Sequence, residues 1–204
     1  FTMVMQQVGT CDDEVKCGAV MEREKRLQGI VFLGGRFDYT PADLAMLNAP
    51  FVCCSYSNRY GTLIEGEYSS VSIADGDTAQ QAVEELYRHG HRRIAALISR
   101  PNDQSISQLR YEGYVQALES HGIPVDPELV ISTGGFGAKD AYRAVQEKMA
   151  ENVDFTALFA IADSMAIGAM RALMDAGRRI PEDCSVIAID GLELSAYIEP
   201  PLTT

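Results

Sequence analysis

The feature that most constrains this chain is a regular alternation of short β-branched runs with longer amphipathic ones. Strands are expected at residues 2–8, 29–33, 51–55, 70–74, 94–99, 129–132, 157–161 and 186–190. Helices are expected at 12–26, 41–47, 78–89, 105–121, 138–151 and 164–176, with a short one at 195–198. Strands separated by helices build βαβ units and a parallel sheet. Such strands are covered on both faces, which suits the unbroken apolar run Ala157-Leu158-Phe159-Ala160-Ile161. Glycines 90, 122 and 177 stand where three helices should stop. In the helix at 78–89, Ala79, Ala82, Val83 and Leu86 fall on one stripe. Residues 56–69 are polar and irregular and read as a long loop or a β-excursion.

The 204 residues suffice for one large domain or for two lobes of roughly 100 residues each. Seventeen Lys and Arg against 29 Asp and Glu give a formal charge of −12. That balance favours solubility and opposes direct contact of this segment with a phosphate backbone. The five cysteines (Cys11, Cys17, Cys53, Cys54 and Cys184) form no C-x-x-C pair. An odd, unpatterned set suits reduced thiols and a cytoplasmic setting. No run reaches the roughly 18 apolar residues of a membrane span, and the start lacks the basic region of a signal peptide.

Catalytic signatures are missing. There is no G-x-S-x-G elbow and no phosphate-binding P-loop. Gly135-Phe136-Gly137 lacks the third glycine of a dinucleotide fingerprint, because Asp140 occupies that place. His89, His91 and His121 are not spaced with acids or thiols as metal ligands. No nucleophile, base and acid assemble into a set, so neither an enzyme, a metal nor a cofactor is expected.

The most specific segment runs Ile180-Pro181-Glu182-Asp183-Cys184-Ser185-Val186-Ile187-Ala188-Ile189-Asp190 and leads to Pro200-Pro201-Leu202-Thr203-Thr204. Physically it is a Pro-fixed turn, a buried strand, and a carboxylate at the strand's carboxyl end, where open parallel sheets place ligand contacts. This string resembles a signature of the LacI/GalR family. So do Gly90-His91-Arg92-Arg93-Ile94-Ala95, Arg110-Tyr111-Glu112-Gly113-Tyr114 followed by Ala117-Leu118, and Asp163-Ser164-Met165-Ala166-Ile167-Gly168. Weaker likeness runs through Gln28-Gly29-Ile30-Val31 and Ala49-Pro50-Phe51-Val52, so the resemblance spans nearly the whole chain.

The resemblance implies an α/β fold of two Rossmann-like lobes with parallel sheets around a ligand cleft. The lobes would be 1–90, lacking its first strand-helix unit, and 91–204. It implies the effector-sensing and dimerisation core of a cytoplasmic DNA-binding transcriptional regulator. A small polar effector, a sugar or sugar derivative, would sit in the cleft. Operator DNA would be met only through a helix-turn-helix head outside this chain, and the natural protein would be longer at both ends. A stand-alone solute-binding protein of a sugar transport system shares the fold and is the alternative.

The resemblance also nominates ligand-binding residues. Arg110 would make a bidentate contact with hydroxyl or carboxylate groups; its other reading is a helix-surface ion pair with Glu112 or another carboxylate. Asp190 would accept from sugar hydroxyls, or else cap the turn that follows it. Asp77, close behind Asp75, falls at a sugar-contacting position, or caps the next helix. Phe136, between glycines, would stack on a sugar face or plug the lobe surface. Asp163 is a ligand contact or the N-cap of the helix at 164–176. The family's Asn before that Asp is replaced by Ala162, whose side chain cannot hydrogen-bond.

Overall fold

The structure is a computed structural model that describes residues 2–9, 13–64, 66–102 and 104–204. Two compact units are present, Phe1–Ile73 and Ala74–Thr204. The division falls earlier than 90/91, because the helix after it packs on elements of the second unit.

In the first unit, helix α1 (Glu14–Lys25) precedes strand β1 (Ile30–Leu33), a single turn α2 (Pro41–Leu44), β2 (Phe51–Cys54) and β3 (Ser69–Val71). Cys11 and residue 12, the expected start of α1, lie outside the described residues; the observed cap is Asp13, whose side chain accepts from the backbone N–H of Val15 and Lys16. The three strands pair in parallel in the order β1-β2-β3. Residues 2–8 are not a strand. They are mostly exposed and carry no ladder pairing, although their pattern is apolar. A strand exists only with a neighbour to exchange hydrogen bonds with, and β1 pairs here with β2 alone. The stretch between β2 and β3 is a loop, folded around an aromatic cluster in which Tyr56 meets Phe37, Tyr39 and Tyr68.

The second unit comprises α3 (Asp75–Arg88), β4 (Ile94–Ile98), α4 (Ile106–Ser120), β5 (Val130–Ser132), α5 (Ala138–Ala150), β6 (Ala157–Ala160), α6 (Asp163–Asp175) and β7 (Ser185–Ile187). A 3-10 turn over Glu193–Ala196 stands where the short helix was expected at 195–198. The sheet is parallel, ordered β5-β4-β6-β7. Every residue of β4 and β6 is buried, as continuous apolar strands between two helical layers must be. The α3 stripe buries Ala79, Val83 and Leu86, with Ala82 partly covered. Tyr114 lies in the same core and donates its hydroxyl to the Ile94 carbonyl at 2.9 Å. At the amino edge of the sheet His91 bridges Thr156 Oγ1 (2.9 Å) and Ser185 Oγ (3.0 Å), tying the entries of β6 and β7 together. Burial lowers its pKa from the ordinary histidine value.

Two close helix crossings shape this unit. A methyl added at Gly113 would lie 2.1 Å from the Gly76 carbonyl oxygen, so α4 touches the first turn of α3 backbone to backbone. Likewise a methyl at Gly168 would meet the Ala138 carbonyl at 2.0 Å, which brings α6 onto α5.

Candidate functional site

The strand order places a switch point between β4 and β6: β4 leads outward to β5, and the chain then returns to the other side. Open parallel sheets bind ligands at the carboxyl ends of the strands flanking such a point. Four segments of the second unit meet there. They are the first turn of α3, the second turn of α4, the residue after β6, and the loop after β7.

Arg110 joins them. Its side chain is only 6% exposed. Nε donates to Asp75 Oδ1 at 2.8 Å, and Nη1 donates to the Ile161 carbonyl and to Asp190 Oδ1, the last at 3.1 Å. The planar guanidinium holds three acceptors fixed in different directions, which a lysine ammonium on its flexible stem does not reproduce. Nη2 makes no hydrogen bond to the described residues. The ion pairs of Arg110 are with Asp75 and Asp190, across elements, not with Glu112 along its own helix.

Asp75 reaches Arg110 because of Gly113. One turn beyond Arg110, that glycine lets the two helices approach, and α3 then delivers its first residue to the guanidinium. Asp77, the nominated residue, is instead exposed on the same turn and has no ion pair with Arg110. Neither acid is the N-cap of α3; that position is Ala74, which has no side-chain cap.

Asp190 is partly open, its side chain 35% exposed, and its other oxygen is free for a ligand donor. Its backbone φ is 136°, a region that side chains with a Cβ rarely adopt. It is not the cap of the following turn. The backbone N–H of Leu192, which opens that turn, donates to Asp163 Oδ2 at 2.8 Å.

Asp163 is fully buried, and both of its carboxylate oxygens are engaged by residues 192–204. Oδ2 also accepts from Ser195 Oγ at 2.6 Å, and Oδ1 accepts from Thr204 Oγ1 at 2.5 Å. The cap position of α6 is Ala162, with no side-chain bond; Asp163 is the first helical residue and turns away to hold residues 192–204. Phe136 is 40% exposed in the loop between β5 and α5, and its carbonyl accepts from Ser164 Oγ at 2.7 Å. Arg100, after β4, spans the same edge by donating from Nε to the Gly134 carbonyl.

The structure thus brings Arg110 and Asp190 into direct contact, sets Phe136 on a neighbouring loop, turns Asp163 inward, and leaves Asp77 outside. It adds Asp75 and the Ile161 carbonyl. Nucleophilic chemistry finds little support. Burial pushes the Cys184 thiol up to about 12 and Cys53 up to about 11, so neither is a ready thiolate. Among the described residues no three His, Cys, Asp or Glu side chains are grouped to hold a metal ion.

An open parallel sheet with a charged, partly satisfied arginine at its switch point suits a module that binds a small ligand by hydrogen bonds. Comparison with known proteins agrees. Residues 83–204 match the family model described as a periplasmic binding protein-like domain. The HTH-type transcriptional regulator MalR of Clostridium butyricum is 36% identical across the whole chain, which covers 61% of that relative. The HTH-type transcriptional repressor CytR of Escherichia coli strain K12 is 34% identical over 88% of the chain and 51% of its own length. Among solved structures, a complex of the regulator CelR with cellobiose aligns over 93% of this chain and 57% of its own, with a TM-score of 0.77 and 30% identity. The chain belongs to the periplasmic binding protein-like family, and the relatives it resembles here are transcriptional regulators. These relatives are regulators, not enzymes, and the chain spans about half to three fifths of the curated relatives' length.

Proposed function

We propose that this chain is the effector-sensing core of a LacI-type regulator, binding a sugar or sugar derivative at the carboxyl edge of the second unit's sheet. The observation that carries this reading is Arg110, buried and braced on three sides, with no protein hydrogen bond at Nη2 among the described residues. Nη2 would donate to ligand hydroxyls, the free oxygen of Asp190 would accept from them, and the exposed Phe136 ring would pack on the C–H face of a sugar. The cellobiose complex of CelR supports a carbohydrate effector. The unpatterned cysteines and the regulator relatives favour this reading over a transport binding protein.

Operator contact would belong to a helix-turn-helix head outside this chain, consistent with the surplus of acid here. A homodimer follows from the same reading, since paired half-sites need paired heads. It places the protein in the cytoplasm; no helix among the described residues is long and apolar enough to cross a membrane.

Calorimetric titration with cellobiose and a panel of neutral mono- and disaccharides tests the site. A hydrogen bond to a charged donor contributes roughly 1.5–3 kcal/mol, so Arg110→Ala should weaken the sugar that binds by at least about tenfold. Unchanged affinity in a folded Arg110→Ala variant would remove Arg110 from the site. Light scattering that returns only monomer for the protein with its DNA-binding head would count against the dimer.

A further inference from the structure

We infer that Asp75 is a specificity determinant: by neutralising Arg110 from inside the protein, it makes the site select uncharged hydroxylic effectors over phosphorylated or carboxylated ones. The inference deepens the sugar-sensing reading and rests on it for the place of binding.

The argument is one of charge and position. A lone buried guanidinium facing solvent is an anion receptor, since its fork matches phosphate and carboxylate geometry. Here the fork is already engaged. Asp75 is 6% exposed, lies 2.8 Å from Nε, and is covered by α3 and α4, so a ligand has no room to displace it. Asp190 holds Nη1 from the solvent side at 3.1 Å. One cation between two carboxylates leaves the cluster at −1, before any ligand arrives. Asp163, a few residues from Asp190 in space through Leu192, adds a further negative charge beneath the same loop. What Nη2 offers is therefore hydrogen-bond donation without net positive charge. A hydroxyl accepts from Nη2 and donates to Asp190 at once, whereas a phosphate would be repelled by Asp190 and find no surplus charge behind it. The other cation at this edge, Arg100, is exposed and tethered at Nε to Gly134, so any anion it attracts would not depend on Arg110.

Asp75 is also where the charge can be removed with least disturbance. Asp75→Asn keeps an oxygen for Nε and the size of the side chain while deleting the charge. Asp190→Asn does the same from the partly exposed side, where folding is not at stake. The test is titration with inorganic phosphate and with glucose 6-phosphate of the wild type, of both variants, and of each variant combined with Arg110→Ala, with thermal melts to confirm folding. The wild type should show no saturable Arg110-dependent phosphate binding. Each folded Asn variant should gain at least about tenfold in affinity for the anion, and Arg110→Ala should abolish the gain. If Asp75→Asn fails to fold, Asp75→Ser, smaller and equally uncharged, takes its place, and Asp190→Asn reports on the outer carboxylate alone.

Saturable wild-type binding of phosphate that Arg110→Ala removes would overturn the inference, as would folded Asn variants with no gain. The neutral-sugar arm is read separately. If no neutral sugar binds but the phosphate arms behave as expected, the sugar reading fails and the charge selectivity stands.

Discussion

At the scale of single residues, the side chain that organises the second unit's loops is Asp163 rather than a ligand-facing group. Its carboxylate accepts from Leu192, Ser195 and Thr204, all in the segment that carries Asp190. Asp163→Ala would strand three donors, and the expected loss is about 2–4 kcal/mol of stability. Asp163→Asn retains one acceptor and should lose less. Chemical denaturation of both variants measures this; a loss under about 0.5 kcal/mol in the alanine variant would mean that water replaces the carboxylate without cost. The strings that hold Arg110 and Asp190 are recognisable in the sequence, but the contact between Arg110 and Asp75 is not readable there. Helical spacing shows which residues share a face but not which turn of a neighbouring helix they meet, and the approach of α3 to α4 depends on a glycine 38 positions further along the chain from Asp75.

At the scale of elements, that glycine makes a sharp prediction. Gly113→Ala puts a methyl 2.1 Å from the Gly76 carbonyl and 2.9 Å from Ala79 Cβ, both on rigid parts of α3. The helices must part, at an expected cost of about 1–3 kcal/mol, and the Arg110–Asp75 pair should loosen with them. The reciprocal change is a control. A methyl at Gly76 meets Leu109 O at 3.6 Å, an ordinary contact, so Gly76→Ala should shift stability by less than about 0.5 kcal/mol. Thermal melts of the two variants decide; equal effects would show that the crossing tolerates expansion. The strands and helices themselves were largely readable, since the apolar periodicities of β4, β6 and α3 are strong. Residues 2–8 misled, because alternation and β-branching describe a residue's fitness for a sheet and say nothing of whether a neighbouring strand is there to pair with.

At the scale of the whole molecule, the two units differ in how well their sheets are covered. β4 and β6 are wholly buried, whereas β1 leaves Val31 and Leu33 exposed and β3 leaves Val71 exposed. Backbone hydrogen bonds with little apolar cover open at low free energy. Hydrogen exchange followed by mass spectrometry should find residues 94–98 and 157–160 the slowest, residues 30–33, 51–54 and 69–71 faster, and residues 2–9 fastest. Equal protection of the two sheets would contradict the burial pattern.

The second unit also divides its labour between the two rims of its sheet. The groups around Arg110 all follow strands or open helices, while the helix-to-strand returns at Gly90, Gly122 and Gly177 lie on the far rim, the rim that also carries the His91 bridge. For anyone building a reporter from this protein, that far rim is the attachment surface. Gly122, at an exposed turn away from the His91 bridge, is a place for a fluorophore or a grafted peptide remote from the proposed site, whereas the residue after β6 and the loops after β5 and β7 are where the proposed recognition would be rewritten.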